Sequence, residues 1–257
     1  MARFAVLVSL VTLFVVDVSF AQTTAVSDPQ ALSLAQKSIT TLVGSAVLAD
    51  VSLQGNVVSI FGADSETGTG RFQAKGTGES RVDLNLDKEV RSNVRSVANG
   101  VPVGTWKRDT ANSETYANHN CWTDAAWFFP ALSTLTQTTN PNFIFSYLGQ
   151  EKRGSLNVEH LRIYQRGLGY IPQLSTMDFY LDAVSLFPLA IAFKQHPDND
   201  LLTDIPVEVD FANYRLINGV QVPFHFQRMF NGSVVLDVTV TNAALNTGLS
   251  DSVFSPQ

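Results

Sequence analysis

From Phe211 to Val240 apolar and polar residues alternate, and the pair Asn-Gly interrupts them at Asn218-Gly219 and again at Asn231-Gly232. Successive side chains of a strand point to opposite faces, and Asn-Gly is a strong hairpin signal because both residues tolerate positive φ. Val207, Val209 and Phe211 therefore share one strand face, as do Val220, Val222, Phe224 and Phe226 on the next strand. A two-residue loop at Asn218-Gly219 sets Phe211 opposite Phe226 and position 209 opposite 228, so both apolar sets lie on one side. At the second turn a two-residue loop sets Phe226 opposite Asp237, which mixes the faces. A three-residue loop, Phe230-Asn231-Gly232, instead sets Phe226 opposite Leu236 and Phe224 opposite Val238. The expectation is a meander of strands 205–215, 220–229 and 233–245, apolar on one face.

The same reading extends along the chain. Asp28-Pro29 supplies an N-cap residue and a proline at the first helical position. Leu32, Ala35, Ile39 and Leu42 then mark one helical stripe, and Gly44 a stop. From Val51 the period changes to two, with strands expected near 49–61, 69–75, 79–86, 89–98 and 103–108. The segment from about Glu114 to Gln137 reads as helical with a break at Pro130, whose missing amide proton interrupts the ladder. A second β stretch runs from Asn142 to Asn246. The fold class expected is α+β: one highly curved antiparallel sheet of about 11 strands, a half-barrel, with helices covering its concave face.

Composition changes that picture in two ways. The chain of 257 residues opens with Met1-Ala2-Arg3-Phe4, an apolar run from Ala5 to Val16, and Ser19-Phe20-Ala21. Those are the three regions of a secretory signal peptide, so residues 1–21 are expected to be a leader. Residues 22–257 would then form a single domain, exported through the inner membrane to the periplasm or beyond. Cys121 is the only cysteine, so no intrachain disulfide forms, and a formal charge of -6 disfavours a nucleic-acid backbone as partner.

The run "VEVDFANYRLINGVQVPFHFQRMFNGSVVLDVTVTNAALNTGLSDSVFSP" resembles the periplasmic lipoprotein-carrier family and its outer-membrane lipoprotein-sorting relatives. The matching features are the Gly219 turn, the Val222-Pro223 step and the terminal Asp251-to-Phe254 pattern; "GTGESRVDL" is similar to an early family strand bearing an arginine, here Arg81. The resemblance implies an open barrel lidded by helices. It implies a non-enzymatic carrier of a lipid, acyl chain, lipidated protein or other apolar ligand, with no cofactor and with peripheral contact to a membrane compatible with that role.

Chemistry-bearing residues concentrate in "NHNCWTDAAWFFPALSTL". On a helix, Trp122, Ala125, Ala126 and Phe129 share one face, while Trp127 and Phe128 point elsewhere. Read as a lid hinged at Pro130, the segment places Trp122, Ala126, Trp127 and Phe129 on an apolar cavity, with Arg81 beside a cargo headgroup. Read as core, the same face plugs the sheet, and the protein is a structural or adhesive envelope component. A third reading makes Cys121 the nucleophile of a hydrolase, with His160, His196 or His225 as base and Asp178 as orienter. The acidic turn with Asp198, Asp200 and Asp204 lacks the spacing of an EF-hand loop, and neither a G-x-S-x-G nor an H-E-x-x-H motif is present.

Overall fold

The Asp28 carboxylate accepts a hydrogen bond from the Gln30 amide at 2.7 Å, and Pro29 opens the helix behind it. In the computed structural model, which describes residues 25–255, this helix is α1 (Pro29–Val43), ended by Gly44 at φ 55°. Its buried stripe is Ala31, Ala35, Ser38 and Leu42, with Leu32 and Ile39 half-buried at the flanks. The stripe is rotated from the expected one toward the small side chains Ala31 and Ser38. The expected leader, 1–21, lies outside the described residues.

Thirteen strands among the described residues form one antiparallel sheet. The N-terminal half holds β1 (Asp50–Phe61), β2 (Asp64–Lys75), β3 (Ser80–Leu86), β4 (Val90–Ala98), β5 (Val101–Arg108) and the short β6 (Glu114–Thr115). The C-terminal half holds β7 (Phe143–Arg153), β8 (Leu156–Gln165), β9 (Met177–Asp182), β10 (Pro188–Gln195), β11 (Ile205–Ile217), β12 (Val220–Phe230) and β13 (Ser233–Leu245). Each half is a meander, and β1 pairs with β13 to join them, giving the order 6-5-4-3-2-1-13-12-11-10-9-8-7. The strand count exceeds the expected 11. The sheet is strongly curved and unclosed. At the join the register shifts between Gln54 and Gly55. A Cβ on Gly55 would sit 2.6 Å from the Thr239 carbonyl oxygen, so the position takes only glycine.

The first Asn-Gly turn matches expectation: Ile217 faces Val220, Phe211 faces Phe226 and Val209 faces Arg228, with Gly219 at φ 86°. The second does not. Asn231 and Gly232 form a two-residue loop, so Phe230 faces Ser233, and the register then shifts between Arg228 and Met229. Beyond that bulge Phe226 faces Val238, not Leu236. The extra residue restores the parity that the short loop loses. Phe224, Phe226, Leu236 and Val238 are all buried with Val207, Val209 and Phe211 in one core.

The strand order also governs the segment between β6 and β7. These strands are consecutive in sequence but lie at opposite edges of the sheet, so residues 116–142 must cross its inner face as a strap. The expected helix over 114–137 is absent. The strap contains 3-10 turns at Asn118–Cys121, Pro130–Leu132 and Thr134–Thr136. A straight helix satisfies its own amides, whereas here the Asp124 carboxylate takes the Thr134 amide and the Ser133 hydroxyl takes the Leu135 amide. Helical cover of the inner face therefore reduces to α1, and irregular chain does the rest.

Candidate functional site

Phe128 and Phe129 are fully buried, and Ala126 and Trp127 nearly so, in one cluster with the inner face of the sheet. Phe128 lies with its ring centroid 5.5 Å from Phe72 and 6.5 Å from Phe226; Trp127 meets the same two rings edge-on at 6.4 and 6.1 Å. Three consecutive aromatic residues reach the core because the backbone here is extended and turned, so no single helical face limits them. The expected helical grouping thus separates: Trp127 and Phe128 point inward, while Trp122 and Ala125 are only half-buried.

Two cavities flank the strap. One, of about 330 Å³, is lined by Trp122, Ala125, Leu132 and Phe143 together with Cys121 and Arg95. The other, of about 230 Å³, lies between strap and sheet and includes Trp127, Phe193 and Phe230 with Tyr116, Arg95 and Arg228. They share Arg95, Thr123 and Asp124 as a common wall. Of the residues expected at the site, Trp122 and Trp127 therefore line cavities on opposite sides of the strap. Ala126 and Phe129 are packed behind them. Arg81 stands apart, on the outer face: it donates to Asp83 at 2.7 and 3.0 Å and to the Val253 carbonyl at 3.3 Å, fastening the C-terminal turn Asp251–Phe254.

The strap is held by a polar clasp. Asn120 exchanges two hydrogen bonds of 2.8 Å with the His196 backbone, and Arg95 donates to the carbonyls of Cys121 and Thr123. Asp124 accepts from the Thr134 amide and hydroxyl. Burial pushes the Asp124 carboxyl up to about 6, against the opposing pull of those hydrogen bonds and of Arg95.

Comparison with known proteins gives no matching family model and no match among curated proteins. Solved structures do match. A domain named for outer membrane lipoprotein sorting from Vibrio parahaemolyticus superposes with a TM-score of 0.58 at 13% identity, over 88% of this chain and 96% of that one. A DUF1329 family protein from Desulfovibrio piger gives 0.57 at 11% identity, over 88% and 96%. A LolA superfamily protein from Nitrosomonas europaea gives 0.54 at 10% identity, over 88% and 97%.

The fold is LolA-like.

Within this LolA-like sheet the residues weighed for thiol chemistry are dispersed. Cys121 is buried, burial pushes its thiol up, and its sulfur contacts the Ala117 carbonyl at 3.9 Å. Among the described residues no histidine is hydrogen-bonded to it. His160 lies beside Asp178 and Glu151, and His225 pairs with Asp237 at 2.9 Å, both on the outer face, while His196 turns its Nδ1 to the Thr203 carbonyl. In the acidic turn Asp200 caps Leu202 and Thr203, and Asp204 pairs with Lys194. No metal-binding cluster occurs among the described residues.

The sequence reading missed Arg95 and Arg228. A signal for the second existed: Phe224, Phe226, Arg228 and Phe230 continue one alternation, so a charge falls where the pattern calls for an apolar side chain. Arg95 carries no such mark, because β4 alternates weakly.

Proposed function

We propose that this chain is an exported binding and carrier protein of the cell envelope, taking a lipid, acyl chain or lipid-bearing partner at the two cavities beside the strap. One observation carries the reading: together the cavities offer several hundred Å³ on the inner face of a LolA-like sheet, each combining aromatic walls with a polar lining that includes Arg95 and Asp124. Concavities of that size with aromatic walls and convergent polar groups are where small ligands bind. Trp122 and Trp127 would contact the ligand, with Ala126 and Phe129 fixing the strap behind them. The names of the matching structures, lipoprotein sorting and LolA, agree with such a role. The basic start and apolar run of residues 1–21 support export.

The test is native mass spectrometry of the mature protein purified without detergent. A retained mass of a few hundred daltons that organic extraction releases is the expected result, and its chemistry names the cargo. A chain at its bare mass that also takes up no added fatty acid would exclude a carrier. That outcome would favour the second reading, a structural envelope protein, which rests on Phe128 and Phe129 filling the inner face at zero exposure.

A further inference from the structure

Arg228 sits on the inner face of β12, opposite Val209 and Leu236, where its neighbours along the strand are Phe226 and Phe230. Its guanidinium carbon lies 4.6 Å from the Trp127 ring centroid, 5.0 Å from Phe230 and 6.0 Å from Phe193. Such stacking favours a cation but satisfies none of its N–H donors. The Nε is sealed from water and has no hydrogen-bond partner, and no carboxylate among the described residues lies within ion-pair distance of the side chain. Arg95 lines the same cavity from the opposite half of the sheet. Its Nη2 is spent on the strap carbonyls, and its Nε too is buried and unpartnered.

Among the described residues neither guanidinium has an ion-pair partner and each keeps a buried, unpartnered Nε, so two cations beside one cavity leave room for an anion to complete them. The carboxylate in the lining, Asp124, has both oxygens engaged by Thr134 and makes no ion pair with either arginine. Tyr116 donates to Asn93 and contributes no negative charge at neutral pH. The remaining polar lining, Asn93, Asn120, Gln195 and Ser80, is uncharged. Two guanidiniums with forked N–H groups are the donor set that binds carboxylate and phosphate oxygens. A volume of about 230 Å³ accommodates such a group with its first few carbons, and Trp127, Phe193 and Phe230 provide the apolar wall on which those carbons would lie.

We propose that the cavity between Arg95 and Arg228 seats the oxyanion headgroup, carboxylate or phosphate, of an acyl amphiphile. This rests on the carrier reading and narrows it: the cargo is anionic, and its charged end is buried inward against the sheet.

The experiment is calorimetric titration of the mature full-length chain with four probes: dodecanoate, dodecyl phosphate, dodecanol and inorganic phosphate. Charge-assisted hydrogen bonds in a partly enclosed cavity predict that the two anionic amphiphiles bind more tightly than dodecanol by about tenfold or more. Arg228→Gln should bring them down to the affinity of dodecanol and leave dodecanol itself unchanged, whereas Arg228→Lys should keep part of the preference. The wild-type comparison stands even if a variant fails to fold. Equal binding of dodecanol and dodecanoate would overturn the headgroup seat while leaving a carrier. A preference that survives Arg228→Gln would place the headgroup elsewhere and overturn the assignment. Inorganic phosphate binding as tightly as dodecyl phosphate would overturn an amphiphile in favour of a free oxyanion. If none of the amphiphiles binds, the carrier reading falls, and this inference with it.

Discussion

The β11–β13 meander and the strap of residues 116–142 both bury aromatic side chains in the same core, by opposite means. In the meander, backbone ladders hold the chain and alternation alone decides which side chains turn inward. In the strap there is no ladder. A handful of side-chain contacts, Asn120 to His196, Asp124 to Thr134 and Arg95 to Cys121 and Thr123, aim Trp127, Phe128 and Phe129 at the sheet. A ladder distributes its stabilisation over many amides and tolerates the loss of any one side chain's polar group. A clasp concentrates it. The strap is therefore the part of the molecule that a single substitution or the loss of a proton can loosen, and segments of that kind open first.

The largest effect that tests this contrast is expected in the shared core. Phe226→Ala removes a fully buried ring that meets Phe72, Trp127 and Phe128, and should cost about 3–5 kcal/mol, lowering the denaturation midpoint for every probe together. If only strap probes respond, the meander is not the common foundation.

Next comes pH. Asp124 in the folded chain titrates at about 6, above its ordinary 3.8, so the native state holds a proton that the unfolded chain releases. The stability tied to that proton is complete below about pH 4 and is lost as pH rises through 6, a change of about 2–3 kcal/mol. Asp210 is raised to about 6 in the same direction, by burial and then by Glu208, but lies on the outer face of β11. Hydrogen exchange of strap amides at pH 5 and pH 8 should thus show better protection at pH 5, and Asp124→Asn should flatten that difference while the Asp210 contribution to global melting persists. Strap protection indifferent to pH in the wild type would remove Asp124 from the clasp.

A smaller loss is expected from Asn120→Ala, which strands the His196 amide and carbonyl at a cost of about 1–3 kcal/mol. Faster exchange should be confined to 116–137 and the neighbouring 195–204 turn. Smallest is Gly219→Ala. Alanine at φ 86° is strained, and the hairpin should lose about 1 kcal/mol with no change in strap exchange. Together the last two measure whether the regions are separable at all.

How much of this could be read from residues divides along the same line. α1 was legible because Asp28, Pro29 and Gly44 act locally, and the first hairpin because Asn218-Gly219 determines its own geometry. The second hairpin kept its apolar face but not its pairing: nothing near Asn231 announces a bulge three residues away at Arg228. The strap was misread as helix because Trp122, Ala125, Ala126 and Phe129 do have helical spacing. What overrides it is a tertiary demand, the crossing from one sheet edge to the other, together with polar side chains that cap the backbone from elsewhere. Alternation with Val82 turns Arg81 outward to Asp83, away from the headgroup position that the lid reading gave it, while Arg228 held the inward parity unnoticed.

The pairing of β1 with β13 has a consequence for how the molecule is made. Val51 lies against Leu245, and Asp50 accepts from the amides of Thr247, Gly248 and Leu249. The middle of the sheet is thus built from the first strand of the described fold and the last. A ribosome delivers these pieces in the least convenient order: β1 emerges with one edge bare and waits through eleven further strands before β13 exists. Contacts so distant in sequence slow folding, and an exposed strand edge invites pairing with other chains in the interval. A nascent chain of this design keeps the seam of its sheet open until β13 is made, so the two halves join last.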